Sequence, residues 1–288
     1  PNSRRLFRQY GENGATDAKL MTFADGIVAT SWDTAYCVRN FNNTISKFYF
    51  IQDFENWCVS SEYVENTYKL NMKKIVVSNW LKEKVLSINQ NDKVYCVSNS
   101  INTDIFKVRE EMNRSLHSII FQYRSNEAKG CRYAIEVIDK LKEVYKDLEV
   151  TIISNEQKNN TIPEWCRYYF NVSPLEVSKL NNQAKVFICT SVEEGFGLPG
   201  LEAMACGCAV VSTNYKGVYE YAVDGENALL SPIRNVDLMV NNIIKLFEDE
   251  QLRKKIIEKG IKTGKERSLD KSAQKFEKIL VSSLNCEK

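Results

Sequence analysis

One stretch of this chain restricts its fold more than any other, a glycine-rich segment at 191–212. It follows the apolar run KVFICT, which predicts a buried strand. A tight glycine turn comes next, and Pro199 suits the first position of a helix. After that helix the run CAVVST predicts another strand. A strand, a helix and a further strand in this order favour a parallel sheet with helices on both faces.

Two carboxylates flank the glycine turn. Glu194 and Glu202 lie eight residues apart, with Gly195, Gly197 and Gly200 between them. Such a turn points backbone N–H groups at one spot, where the positive end of the helix dipole adds to their potential. The segment therefore predicts a phosphate-binding site with one carboxylate before the helix and one on its first turns. A glycine-rich turn that holds no ligand is the alternative.

The same residues match the G-x-G-x-x-G pattern of dinucleotide-binding proteins at 195–200. That pattern belongs to the first strand–helix turn of its domain, whereas at least two strand–helix units precede this one in the same half of the chain. A proline lies inside the match, and a glutamate lies on either side of it. We therefore do not interpret the segment as an NAD site.

Composition argues against several classes of function. A net charge of +2 gives no support for nucleic acid binding, and the sequence has no apolar run of about 18 residues that would span a membrane. No signal-peptide pattern is found. The nine cysteines are scattered and odd in number, which favours reduced thiols in a cytosolic protein. Cys206 and Cys208 form the only close pair, and they make a poor metal site without a second pair or a nearby histidine.

The length of 288 residues predicts about two domains. Apolar strands alternate with amphipathic helices in both halves, and a polar linker at 101–115 separates them. The predicted strands are 26–31, 47–52, 73–78 and 93–99 in the first half, then 117–124, 148–154, 184–190 and 208–213 in the second. The clearest predicted helices are 79–86, 129–146, 236–247, 250–265 and 269–284.

Four segments resemble the retaining glycosyltransferases of family 4, which have the GT-B fold. The segment at 191–230, SVEEGFGLPGLEAMACGCAVVSTNYKGVYEYAVDGENALL, has that family's two glutamates separated by seven residues, with GFGLP after the first. YRSNEAKG at 123–130 matches its Arg and its Lys-Gly after the first strand of the second domain. IVVSNWLKEKV at 75–85 and VYCVSNSINTDIF at 94–106 resemble its last strands of the first domain and its linker. The resemblance covers about residues 24–284.

The resemblance implies an α/β fold of the GT-B type, with two Rossmann-like domains that face a cleft. The acceptor-side domain and the linker would occupy 1–112, and the nucleotide-sugar-binding domain 113–267. A C-terminal helix at 268–288 would pack back toward the first domain. The first domain is expected to be incomplete, because the family's opening strand and its glycine-rich loop are not found in the sequence.

For the donor, the resemblance implies a catalytic set and a binding set. Arg124 and Lys129 would stabilise the charge that develops on the departing diphosphate, and Glu194 would contact the donor sugar near its anomeric carbon. Glu202 would accept hydrogen bonds from the ribose. The remaining residues implied to bind the donor are Gly195, Phe196, Gly197, Leu198, Phe170 and Asn171.

Three of these assignments have a plainer alternative. Arg124 and Lys129 could be solvated surface charges, the usual state of such side chains. Phe170 could belong to the core. The sequence has no Asp-x-Asp motif, so we expect neither a metal nor another cofactor.

On the acceptor side, Gln52 and Asp53 end the second predicted strand, at a place where the family often has His-Asp. A charged residue at the carboxyl end of a strand favours a role for Asp53 in binding. The aromatic stretch around it, FYFIQDFENW, could line the acceptor cleft. Alternatively, its residues Phe48, Phe50 and Trp57 are core.

The identity of residue 52 bears on the donor sugar. Where the family has a histidine near the sugar's 6-hydroxyl, Gln52 would suit a 6-deoxy sugar such as rhamnose carried on dTDP, as in a rhamnosyltransferase. A glutamine that still hydrogen-bonds a hydroxyl is the alternative. The single histidine of the chain, His117, begins a strand of the second half and is interpreted as structural.

The predicted function is transfer of a sugar from a nucleotide-sugar donor to a saccharide or lipid-linked acceptor, in the synthesis of a bacterial surface polysaccharide. A non-catalytic nucleotide-sugar-binding subunit is one alternative, favoured by the short first domain. Another GT-B enzyme, such as a sugar-nucleotide epimerase, is a second. The expected location is the cytoplasm, including the inner face of the cell membrane, and no nucleic acid partner is expected.

Overall fold

The computed structural model describes residues 23–57, 59–110 and 113–285. They divide into two units, of which the first holds the described residues up to Val97 together with those from Gln274 onward. The second unit is Ser98–Ala273.

The division falls earlier than the boundary predicted after residue 112. Residues of the predicted linker are bound to the second unit, because the Arg109 N–H donates to Asn182 Oδ1 at 2.7 Å. The Arg114 guanidinium likewise donates to the Cys206 carbonyl at 2.6 Å.

Among the described residues of the first unit, four parallel strands form one sheet. In spatial order they are β1 (Ala24–Ala29), β2 (Thr44–Ile51), β3 (Lys73–Val76) and β4 (Val94–Cys96). The helices between them are α1 (Trp32–Asn40), α2 (Ser61–Tyr68) and α3 (Asn79–Ile88). Helix α2 was not predicted, although a serine suited to be its N-cap precedes it: the Ser60 hydroxyl accepts a hydrogen bond from the Tyr63 N–H at 3.4 Å.

The described part of the second unit holds a sheet of six parallel strands. In spatial order they are β7 (Arg167–Phe170), β6 (Glu149–Ser154), β5 (Ser118–Gln122), β8 (Val186–Cys189), β9 (Ala209–Thr213) and β10 (Leu229–Ser231). Chain order reverses between β5 and β8. This is the topological switch point of a doubly wound sheet, and ligands bind there beyond the carboxyl ends of the strands.

The helices of the second unit cover this sheet. They are α4 (Cys131–Val144), α5 (Pro174–Gln183), α6 (Leu198–Ala205), α7 (Val236–Glu248) and α8 (Glu250–Glu266). Helix α4, predicted at 129–146, buries an apolar face in the core, with Ala134, Val137, Ile138 and Leu141. Strand β10 was not predicted, because three residues are too few to show a pattern.

The last described helix, α9 (Leu269–Asn285), corresponds to the predicted C-terminal helix. Its residues from Gln274 onward belong to the first unit. There Ile279 joins the buried cluster of Phe48, Ile75 and Val97, and the Phe276 ring lies 5.3 Å from that of Phe50. The core of the first unit therefore combines two distant parts of the chain.

Candidate functional site

The loops that follow β5 and β8 meet at the switch point of the second sheet. Backbone hydrogen bonds tie them together, since the N–H groups of Val192 and Glu193 both donate to the Ala128 carbonyl, at 2.7 and 3.2 Å. The two loops therefore form one surface, although they are far apart in the sequence.

Gly130 makes this close approach possible. Its φ of 60° lies in the left-handed region, and a Cβ at this position would overlap the carbonyl oxygen of Thr190. Glycine meets both demands at once. The Lys-Gly pair of the sequence thus has a packing reason, because the glycine lets the second loop come close enough for Lys129 to reach it.

Lys129 and Glu194 form an ion pair across the two loops. The distance from Lys129 Nζ to Glu194 Oε1 is 3.0 Å, and the Glu194 side chain is 12% exposed. The Ser191 hydroxyl donates to the same oxygen at 3.2 Å. The other oxygen, Oε2, faces the start of α6, because a Cβ on Gly197 would lie 3.1 Å from it. The structure thus brings together the cation and the carboxylate that the sequence singled out.

Arg124 lies two residues beyond β5, on the same loop as Lys129, and is half-buried. Its guanidinium donates to the Tyr123 carbonyl at 2.7 Å. Among the described residues, no carboxylate forms an ion pair with it. Next to it, the Ser125 N–H donates to the Glu156 carboxylate at 3.0 Å. Arg124 therefore keeps guanidinium N–H groups that other described residues do not use.

Helix α6 begins at Leu198, with Gly197 as its N-cap in the left-handed region at φ 91° and ψ 52°. The predicted start was Pro199, which lies within the first turn. The first N–H groups of a helix have no partner inside the helix and carry partial positive charge. The start of α6 therefore presents this potential beside Glu194.

Glu202 lies on the second turn of α6 and is half-buried. Burial raises the pKa of its carboxyl from 4.5 to about 7. No group of the described residues donates a hydrogen bond to this carboxylate. A desolvated carboxylate without donors is costly unless something else supplies them, so Glu202 is suited to receive hydroxyl groups from a ligand.

The two phenylalanines predicted to bind the donor differ in exposure. Phe196 is only 2% exposed, because its ring packs 5.4 Å from that of Tyr221. It can therefore offer a ligand its backbone but not its side chain. Phe170 ends strand β7 and is 46% exposed, so the alternative of a core position for it is wrong. Asn171 follows with a φ of 52°, and its N–H donates to the Ser154 carbonyl at 2.7 Å.

The predicted acceptor residues belong to the first unit. Gln52 is exposed directly after β2, and its side-chain amide donates to the Thr30 carbonyl at 3.2 Å. Asp53 accepts a hydrogen bond from the Phe54 N–H at 2.9 Å. Of the aromatic residues around them, Phe48 is buried in the core, whereas Trp57 is 52% exposed. The core interpretation is correct for Phe48 and wrong for Trp57.

His117 lies outside this site. Its Nδ1 is 2.9 Å from the Asp147 carboxylate, and its ring packs on Tyr145 and Phe247 at centroid distances of 4.2 and 5.1 Å. Within the described ranges, no group of three or more His, Cys, Asp or Glu side chains is placed to hold a metal ion. None of the described helices is long and apolar enough to cross a membrane.

Sequence reasoning missed four side chains that support the site. The Ser191 hydroxyl donates to the Glu194 carboxylate, and the Glu156 carboxylate accepts from the Ser125 N–H. Tyr215 and Tyr221 lie behind the glycine turn, where the Tyr221 hydroxyl donates to the Gly197 carbonyl at 2.9 Å. Ser191 was visible as a hydroxyl in the motif itself. Glu156 and Tyr221 bind backbone groups far away in the sequence, and Tyr215 binds the Tyr221 hydroxyl, so no local pattern indicates these roles.

Comparison with known proteins identifies the family of this chain. The model of the family described as "Glycosyl transferases group 1" matches residues 102–263, which contain both loops and α6. An uncharacterized glycosyltransferase of Methanocaldococcus jannaschii, MJ1178, is 26% identical over 216 residues, 72% of this chain and 58% of that protein. O-antigen chain mannosyltransferase B of Escherichia coli is 31% identical over 124 residues, 43% of this chain and 32% of that protein. The chain thus spans less than two thirds of the length of each of these relatives.

Among solved structures, Anabaena Alr3699/HepE in complex with UDP-glucose superimposes with a TM-score of 0.77 at 15% identity. The match covers 90% of this chain and 79% of the Anabaena protein. The likeness concerns the fold. With the two parallel sheets, it confirms the prediction of an α/β GT-B fold with Rossmann-like domains.

Proposed function

The chain belongs to the glycosyl transferases group 1 family, and on that premise we propose that it acts as a retaining glycosyltransferase that uses a nucleotide-sugar donor. The observation that carries the proposal is the ion pair of Lys129 with Glu194 at the switch point, beside Arg124 and the start of α6. Cations and a helix N-terminus suit a diphosphate, and a carboxylate suits the hydroxyl groups of a sugar.

Lys129 and Arg124 have the donors that a leaving diphosphate needs. An ammonium group has three N–H donors, so Lys129 can keep its bond to Glu194 and still donate to a phosphate oxygen. A guanidinium has five, and the Tyr123 carbonyl takes one of those of Arg124. Charges that are in place before the reaction stabilise the negative charge that develops on the leaving group. In this proposal the reaction needs no metal ion.

The two glutamates bind the ribose and the sugar of the donor in this proposal. Glu202, with its unused acceptor oxygens, receives the ribose hydroxyls. Glu194 contacts a hydroxyl of the donor sugar and stabilises positive charge near its anomeric carbon, in a reaction that retains the configuration there. The backbone of Gly195, Phe196, Gly197 and Leu198 completes the phosphate contacts. Phe170 and Asn171, at the end of β7, contact the base.

The names of two similar proteins support a choice of substrate classes for this proposal. The O-antigen mannosyltransferase and the UDP-glucose complex favour a hexose donor and a saccharide or lipid-linked acceptor in surface polysaccharide synthesis. The donor is then a nucleoside diphosphate sugar, with the 6-deoxy sugar suggested by Gln52 as one variant. The proposed location is the cytoplasm or the inner face of the membrane.

A ligand panel tests the proposal. Thermal shift with UDP, GDP, ADP and dTDP identifies the base, since a ligand that binds the folded state raises the unfolding temperature. Release of nucleoside diphosphate from the matching hexose and 6-deoxyhexose donors, with and without EDTA, then measures transfer. Binding without release in the presence of saccharide acceptors would favour a non-catalytic subunit. Absence of binding for all four nucleotides would contradict the proposal.

Neighbouring glutamates supply a matched control. Glu194→Gln removes the charge that pairs with Lys129, whereas Glu193→Gln removes an exposed charge one residue away. We expect the first to reduce turnover strongly and the second to leave it unchanged. Equal effects of the two variants would show that the local negative charge, and not the position of Glu194, matters.

A further inference from the structure

Two buried tyrosines lie behind the glycine turn, and both come from the segment that follows β9. Tyr215 precedes a short 3₁₀ turn at Lys216–Glu220, and Tyr221 follows it. They are 2% and 4% exposed. Their hydroxyl oxygens are 3.0 Å apart, and the Tyr221 hydroxyl donates to the Gly197 carbonyl at 2.9 Å.

The direction of this chain of hydrogen bonds is fixed. Each phenol has one hydrogen to donate. The carbonyl of Gly197 can only accept, so it takes the hydrogen of Tyr221. Tyr215 must then donate to Tyr221. Because burial raises the pKa of both phenols well above 10, both hydrogens stay in place at neutral pH.

The same hydroxyls explain two glycines of the motif. A Cβ on Gly197 would overlap the Tyr215 hydroxyl and lie 2.8 Å from its Cζ. A Cβ on Gly200 would overlap the Tyr221 hydroxyl and lie 3.2 Å from its Cζ. The close approach of the two tyrosines therefore requires glycine at both positions.

Two further contacts hold the same turn. A Cβ on Gly217 would lie 2.6 Å from the Glu194 carbonyl oxygen, so the backbone between the tyrosines touches the loop that carries Glu194. The Phe196 ring packs on Tyr221, and the Arg267 guanidinium lies 5.8 Å from the centroid of that ring. The turn is thus packed against the segment that carries the two tyrosines.

We propose that Tyr215 and Tyr221 are positioning residues for the donor site. Their hydroxyl chain holds the Gly197 carbonyl, and through it the start of α6 and the loop of Glu194, in the geometry that receives a diphosphate. Donors that are held in place before binding cost less to order when the ligand arrives. The consequence for turnover rests on the function proposed above, whereas the local effect on the turn does not.

Removal of each hydroxyl tests the local effect. In Tyr221→Phe and Tyr215→Phe we expect faster amide hydrogen exchange at 195–201, with unchanged exchange in β6. Tyr68→Phe is the matched control, because Tyr68 is fully buried in the first unit and its hydroxyl has no hydrogen-bond partner among the described residues. A purely structural role would change protection throughout the second unit and not at the turn alone. Unchanged exchange at 195–201 would overturn the proposal.

A double-mutant cycle tests the geometry without reference to activity. Gly200→Ala should lower the unfolding temperature in the wild-type background, because the new methyl group meets the Tyr221 hydroxyl. In the Tyr221→Phe background the same change should lower it much less. Residues in direct contact show such non-additive effects. Additive effects would place the Tyr221 hydroxyl away from Gly200 and contradict the proposed contact.

Nucleotide binding connects the two proposals. We expect Tyr221→Phe to weaken the affinity for the best-binding nucleoside diphosphate about fivefold, the loss of one neutral hydrogen bond. If the wild-type chain binds no nucleotide but the exchange and the cycle behave as expected, the proposed function fails and the support of the turn stands. If the wild-type chain binds and Tyr221→Phe binds equally well, the positioning role fails.

Discussion

The carboxyl ends of the two sheets hold their polar side chains in different ways. In the second unit, Lys129 and Glu194 come from loops that are 65 residues apart and form a pair. In the first unit, Asp53 accepts a hydrogen bond from the next residue along the chain, and Gln52 donates to the backbone of Thr30. The first arrangement includes an ion pair between two loops, whereas the second includes a neutral hydrogen bond between loops and one to an adjacent residue. We infer that the second unit has the more rigid, preorganised site.

Two carboxylates sharpen this comparison, because burial raises the pKa of each to about 7. In the first unit, Glu55 accepts a hydrogen bond from the Trp32 N–H at 2.8 Å. In the second unit, Glu202 has no such donor among the described residues. A buried carboxyl with a partner is part of the structure, whereas one without a partner has acceptor capacity left for a ligand. The two residues therefore form a natural pair for mutation.

The largest effect is expected at the cations of the second unit. Arg124→Ala and Lys129→Ala should each lower kcat by about 100- to 1,000-fold, as removal of a group that stabilises developing charge does elsewhere. Donor KM should change less, because these contacts strengthen as the leaving diphosphate gains charge. Steady-state kinetics with the donor found in the panel measures both.

Arg132→Ala serves as the control, since Arg132 is exposed on the first turn of α4 and its guanidinium contacts the neighbouring Tyr133. It should keep wild-type rates. A rise of KM with an unchanged kcat in the Arg124 and Lys129 variants would mean that these side chains hold the ground state as tightly as the transition state.

The next effect concerns nucleotide affinity. Glu202→Ala should weaken binding of the nucleoside diphosphate by about 10- to 100-fold, the loss of hydrogen bonds to a charged acceptor worth roughly 1.5–3 kcal/mol. Glu55→Gln should leave this affinity unchanged, although Glu55 has a similarly raised pKa. Calorimetric titration of both variants decides the matter. Equal affinities of wild type and Glu202→Ala would remove Glu202 from the ribose site.

The raised pKa of Glu202 also predicts how stability depends on pH. Between about 4.5, its ordinary value, and about 7, the folded chain binds this proton more tightly than the unfolded chain. The contribution of Glu202 to stability is therefore fully present below this window and is lost as the pH rises to about 7. The Glu202→Gln side chain does not ionise, so this variant does not lose that stability as the pH rises.

Thermal unfolding at pH 5 and pH 8 checks the direction of this pH dependence of stability. The variant should gain stability relative to the wild type at pH 8, by on the order of 2–3 kcal/mol for a pKa difference of this size, and much less at pH 5. Glu55→Gln should likewise gain more stability at pH 8 than at pH 5, because burial also raises the pKa of Glu55. A larger gain at pH 5 than at pH 8 would contradict the assignment of a raised pKa.

Much of the second unit could be predicted from the sequence, and its motif explains why. The strand before the glycine turn and the helix after it are local features. Arg124, Lys129 and Glu194 also lie at the ends of strands that are neighbours in any doubly wound sheet. The support behind the turn could not be predicted. Tyr215 and Tyr221 act through hydroxyl contacts with Gly197, and those contacts exist only once the loop after β9 has packed.

The first unit was less predictable, for a physical reason. Helix α2 has the polar sequence SEYVENTY, without a clear apolar face, so the pattern that reveals a helix is weak. Glu55 gave no signal, because a glutamate three residues after Gln52 is ordinary until the chain folds it against the N-terminus of α1. Long-range packing, and not local preference, decides both cases.

The smallest effect is expected in the first unit. Asp53→Asn keeps the size of the side chain and removes its charge. If Asp53 contacts a saccharide acceptor, acceptor KM should rise about fivefold, which corresponds to one weakened hydrogen bond, while the affinity for the nucleoside diphosphate stays unchanged. Because the charge of Asp53 also helps to raise the pKa of Glu55, the same variant should lower that pKa, which NMR titration of the Glu55 carboxyl can follow. If the pKa of Glu55 falls but the acceptor KM does not change, Asp53 acts on the charge of Glu55 and does not contact the acceptor. A change in nucleotide affinity would contradict the separation of roles between the two sheets.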